Sequence, residues 1–161
     1  MTFFADLHPA VVHFPIAFLL LATGSGLAAL FVSSRPELRF LTWVAGALGV
    51  AGAAAAALTG FFAQAHLPPD APYRAVLNRH IGAGLAQFVV YGFLLYRRWI
   101  FGSKKAVQAR RRAGNSARDL LDDPSARLLT ALLLLAGALI VLMGGWSGGR
   151  LVFEWGVNVA P

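Results

Sequence analysis

Four histidines, His8, His13, His66 and His80, are the residues of this 161-residue chain best suited to coordination or proton chemistry, and no cysteine accompanies them. The absence of thiols excludes disulfides, thiolate zinc sites, cysteine-ligated iron–sulfur clusters and the C-x-x-C-H attachment of c-type haem. A metal or cofactor would have to be held by imidazoles, with Met143, Asp70 and Glu154 as further donors. No nucleophile with its base, carboxylate pair or phosphate-binding loop is evident, so no catalytic residue is assigned. An electron-transfer or complex subunit is favoured over a stand-alone enzyme.

The elements that position these side chains follow from composition. The chain is 58% hydrophobic and 13% charged, with apolar runs over residues 10–32, 40–62, 80–100 and 128–146. Each run is close to the ~20 residues that a helix needs to cross about 30 Å of hydrocarbon. The runs are unbroken rather than alternating, which favours helices over a barrel. The expected fold is all-α, a single four-transmembrane-helix bundle over residues 1–161. A cleavable signal peptide is disfavoured because residues 1–10 contain Asp6 and no Lys or Arg.

Nine Lys and Arg fall in the segment 97–127, which the positive-inside rule makes cytoplasmic. The turn 33–39 is then also inside, and both termini and the loop 63–79 are extracytoplasmic. The basic loop is expected to form a short interfacial helix or a mobile linker. Much of the net charge of +7 is a topology signal, with attraction to anionic lipid of about 1 kcal/mol per basic residue near the surface. Nucleic acid is not an expected partner.

His13 and His80 each open a spanning helix at the same outer boundary, so they can face one another across the bundle. The stripe His80, Gly84, Gln87 and Tyr91 is polar for its depth and is expected to point inward, opposite His13, Ala17, Leu20 and Gly24. Two opposed imidazoles on different helices suit a b-type haem. Structural histidines are the competing reading, and a zinc or copper site would need to recruit His8 or His66. Those two are secondary candidates: His8 precedes Pro9, and His66 adjoins the Pro-rich stretch 67–72.

The small residues Gly46, Gly49, Ala53, Ala56 and Gly60 favour close helix packing, within the bundle or against a second copy. With Gly82 and Gly84 they could instead leave room for a flat macrocycle. The stretch 144–157 is too glycine-rich to read as a continued helix. It is expected to form, within residues 147–161, an extracytoplasmic lid bearing Trp146, Phe153 and Trp155 at the interface. Arg150 would meet a propionate or headgroup there, Glu154 would orient an imidazole, and Met143 would lie in the core.

The opening Leu7-His8-Pro9-Ala10-Val11-Val12-His13-Phe14-Pro15-Ile16-Ala17 resembles the L-H-P-x-x-V-H-F-P-I-A of the DUF2231 family of predicted bacterial membrane proteins. His80 followed by Gly84, and the ending Gly148-Gly149-x-Leu151-Val152-Phe153-x-x-Gly156-Val157, agree with it, so the resemblance spans nearly the whole chain. The family pattern prefers tyrosine at Phe153 and glycine at Asn158, and some members carry an aspartate near the segment Phe61-Phe62-Ala63-Gln64.

The resemblance implies a four-helix domain of the bacterial cytoplasmic membrane whose members occur fused to, or beside, haem and other redox proteins. It implies no established activity. The resulting expectation is a cytochrome subunit with haem b between His13 and His80, and Gly84 and Arg150 at the cofactor. An extracytoplasmic redox protein or dehydrogenase would donate electrons, and quinone or another subunit of a larger membrane complex or homo-oligomer would accept them. A non-redox assembly subunit and a zinc- or copper-handling protein are the other readings.

Overall fold

The computed structural model describes residues 2–65 and 67–157. These residues are organised as helices: α1 (Thr2–Val11), α2 (His13–Phe31), α3 (Pro36–Gln64), α4 (Arg74–Phe101), α5 (Lys104–Arg112), a 3₁₀ turn (Leu120–Asp122) and α6 (Arg127–Phe153). In the ring of four long helices, α2 packs on α3, α3 on α4, α4 on α6 and α6 back on α2, while α1 packs against α3. Successive helices alternate in direction, as in an up-down-up-down bundle. One end holds His8, His13 and His80; the other holds α5 and the basic loop.

Proline chemistry explains the interruption between α1 and α2. Pro15 has no N–H to offer the carbonyl of Val11, and its ring crowds that carbonyl, so the helix breaks at Val12. At the opposite end of the bundle, Pro36 starts α3, Ser103 caps α5 by accepting from the Ala106 N–H at 3.3 Å, and Asp119 accepts from Leu121 N–H at 3.0 Å.

Three helical segments are long and apolar enough to cross a membrane: Leu7–Phe31, Pro36–Gln64 and Arg127–Phe153. Four were expected; three qualify by length and composition. Helix α4 spans 28 residues but carries His80, Gln87, Arg97 and Arg98 among its apolar side chains, which lowers its mean hydropathy. Exposed Leu and Phe side chains line the outside of α2, α3 and α6, as lipid contact requires. The core is built on Leu19, Tyr91, Leu94, Leu134 and Val141.

Polar groups within this core find partners. Tyr91 Oη lies 2.6 Å from Thr23 Oγ1 and donates to the Leu19 carbonyl at 3.3 Å, while Thr42 donates to Ser25 at 3.1 Å. Gly137 makes room for the phenol: a Cβ there would fall 2.7 Å from the Tyr91 ring.

The C-terminal expectation is corrected. Helix α6 continues through the glycines to Phe153, and the chain turns back only at Gly156, whose φ of 60° favours glycine. Val157 then joins an apolar cluster with Val76, Leu77 and Leu151. Two of its glycines face neighbours at close range: a Cβ on Gly144 would contact that of Ala83 at 3.4 Å, and one on Gly148 would meet His80 at 2.9 Å. Met143 is exposed on the outer face rather than packed in the core.

Candidate functional site

The stripe His80, Gly84, Gln87 and Tyr91 does point inward, with His80 and Gly84 half-buried and Gln87 and Tyr91 buried. The imidazole beside His80 is that of His8. Their ring centres are 6.2 Å apart and their planes nearly perpendicular, at 83°. His13 is exposed, and its Nδ1–H donates to the Pro9 carbonyl at 2.7 Å. The expected opposition of His13 and His80 is thus replaced by His8 and His80. His66 lies outside the described residues.

Helix register explains the exchange. Pro15, Leu19, Ala22 and Gly26 are the buried stripe of α2, and stepping back seven residues from Pro15 reaches His8. The stripe through His13 contains exposed Ala17 and Gly24, and so faces outward. The signal was the register of the small and apolar residues farther along the helix; the adjacent Pro9 obscured it by suggesting a helix boundary. Pro9 in fact lies inside α1.

Each imidazole is held at Nδ1 and rests on a glycine. His80 Nδ1–H donates to the Gly144 carbonyl at 2.9 Å, an oxygen that also accepts from Ser147 Oγ at 3.0 Å. His8 Nδ1 lies 3.0 Å from Thr59 Oγ1, whose own proton is directed at the Ala55 and Ala56 carbonyls at 3.1 Å; the imidazole is therefore the donor. Each ring is thus held through Nδ1, and the tautomer protonated there would present a lone pair at Nε2. A Cβ on Gly60 would approach His8 Cε1 to 2.9 Å, and one on Gly148 would approach His80 Cε1 to the same distance. Sequence reasoning read Gly60 only as part of a packing face, and missed Thr59, Gly144 and Gly148 as imidazole supports.

The other expected site residues take different places. Beside Gly84 the space is open, with nothing within 4 Å of a Cβ built there. Arg150 is engaged by Glu154 one turn on, with Nε 2.8 Å from both carboxylate oxygens and Nη2 2.7 Å from one. Glu154 therefore binds Arg150 instead of orienting an imidazole, and that bond holds its carboxyl below the usual glutamate range. Gln87, 9% exposed, has no side-chain hydrogen-bond partner among the described residues.

A family model described as predicted membrane protein (DUF2231) matches residues 5–161. The chain belongs to that family. In this DUF2231 protein, the opening motif Leu7-His8-Pro9 thus supplies one imidazole of the pair, and the helix that starts before His80 supplies the other. No curated protein and no solved structure matches the chain.

Proposed function

We propose that this protein is a b-type haem subunit that passes electrons in a bacterial cytoplasmic membrane, with His8 and His80 as the ligand pair. The observation that carries the reading is the pair of neighbouring imidazoles, each held through Nδ1 with Nε2 left free of any hydrogen bond to the described residues. Metal–imidazole bonds of about 2.0–2.1 Å put the centres of two rings facing one another across one ion roughly 6–6.5 Å apart, close to the separation found. A bare zinc or copper ion calls for three or four protein ligands. No group of three or more His, Asp or Glu placed to hold an ion occurs among the described residues. Two histidines suit a group that brings its own equatorial ligands.

When bound, haem supplies a one-electron couple. The chain's part is to orient the imidazoles: the Gly144 carbonyl and Thr59 hydroxyl fix the tautomers and raise the basicity of Nε2. Gly60 and Gly148 let the rings lie against helix backbone.

Several features support a fourth span and the orientation. From Gly82 to Tyr96 the exposed residues of α4 are Gly82, Leu85, Phe88, Val89, Phe93 and Tyr96, a face without charge. All of the 14 Lys and Arg except Arg74, Arg79 and Arg150 belong to the end bearing α5, which favours that end as cytoplasmic. The histidine pair then faces the outside, where an extracytoplasmic redox protein or dehydrogenase would donate, with quinone or another membrane subunit as acceptor.

The test is the oxidised and dithionite-reduced visible spectrum of protein expressed with ample haem. A low-spin b-type spectrum, lost in both His8→Ala and His80→Ala but kept in His13→Ala, is expected. A colourless, folded protein would overturn the reading in favour of a non-redox assembly subunit, and loss in His13→Ala alone would overturn the ligand pair.

A further inference from the structure

We infer that the basic end holds a seat for one anionic phospholipid, with Arg118, Arg98 and Ser103 around the phosphate and Trp99 and Leu95 beneath it. A cleft of about 390 Å³ lies between the last turn of α4, the start of α5 and the segment that follows α5; these five residues line it with Phe101, Gly102 and Asp119.

Its charge is unbalanced in favour of an anion. The Asp119 carboxylate is already engaged: it accepts from Trp43 Nε1 at 3.0 and 3.1 Å and from Leu121 N–H at 3.0 Å, and faces Arg98 Nε at 3.7 Å. Arg98 also lies 4.9 Å over the Trp43 ring. Arg118 is exposed and has no ion-pair or side-chain hydrogen-bond partner among the described residues, as is true of Lys104 and Lys105 at the first turn of α5. Ser103 Oγ accepts from the Ala106 N–H, leaving its own proton to donate to a phosphate oxygen.

The apolar side of the cleft identifies the anion as a lipid. Trp99 is exposed, and its ring lies 6.1 Å from that of Tyr96, a pairing suited to the headgroup level. Below them runs the uncharged outer face of α4, which an acyl chain can follow. A free phosphate would use the guanidinium groups and leave this face unfilled. The seat depends on the basic end lying at a membrane surface and is independent of the haem reading.

The test is native mass spectrometry of detergent-purified protein titrated with phosphatidylglycerol or phosphatidylcholine, using Arg118→Gln and, as an equal change of charge outside the cleft, Arg112→Gln. One phosphatidylglycerol should be held in preference to phosphatidylcholine. Its affinity should fall about tenfold in Arg118→Gln, the scale of one charge-assisted contact, and be unchanged in Arg112→Gln. Equal losses in the two variants would reduce the effect to diffuse charge and overturn the seat. Displacement by inorganic phosphate at equal concentration would overturn the lipid assignment.

Discussion

Alanine at two adjacent glycines of α6 should have opposite effects. At Gly148 the new Cβ would sit 2.9 Å from His80 Cε1 and 3.1 Å from Nδ1, too close for the imidazole to stay; at Gly149 nothing lies within 4 Å. Overpacking at such a site costs about 1–3 kcal/mol. Displacing the imidazole also forfeits its bond to Gly144, about 0.5–1.5 kcal/mol. Both substitutions gain helix propensity, about 0.8–1 kcal/mol. Gly148→Ala should thus be destabilised by about 0.5–3.5 kcal/mol, whereas Gly149→Ala should gain up to about 1 kcal/mol. Reversible denaturation in detergent micelles, followed by circular dichroism, measures the difference directly because the propensity gain cancels. Equal stabilities would refute the placement of His80 on Gly148.

Tyr91→Phe keeps the ring on Gly137 but removes the hydroxyl joined to Thr23 and the Leu19 carbonyl; the same assay should read a loss of about 0.6–1.7 kcal/mol, and no loss would deny the bond a structural role. At the basic end, burial pushes the Asp123 carboxyl up, but hydrogen bonds from the Ser125 hydroxyl and amide and from Asn115, with Arg110 nearby, outweigh it and hold the group below the usual aspartate range. Because the folded form binds this proton less readily than the unfolded chain, its stabilising effect is complete above the ordinary aspartate value. It is lost as pH falls below about 4. The stability gap between the parent and Asp123→Asn should therefore be flat from about pH 5 to 7 and shrink below about pH 4; a gap that ignores pH would contradict it.

Much of the fold was legible because membrane helices declare themselves through apolar length. The inward stripe from His80 to Tyr91 was legible because lipid cannot satisfy its polar groups. Two local rules misled. Glycines at 144, 145, 148 and 149 argue against a helix when considered singly, yet α6 runs through all four and approaches α4 closely at Gly144 and Gly148. Pro9 argues for a boundary after His8, yet the helix runs through it to Val11. The pairing of His8 with His80 depends on that tertiary outcome and on no spacing between the two residues. No spacing in the sequence showed that Asp119 and Asp122 would reach Trp43 and Arg39 on α3.

The origin of the two imidazole anchors sets an order of assembly. His8 is secured by Thr59, 51 residues later and on α3, so that half can form once α1 to α3 have come together. His80 depends on Gly144 and Gly148, which leave the ribosome 64 and 68 residues later by sequence number. A nascent chain lacking α6 has both histidines but only one fixed orientation. Helix α6 completes the imidazole pair, so the paired arrangement arises only after the other long helices described have been made.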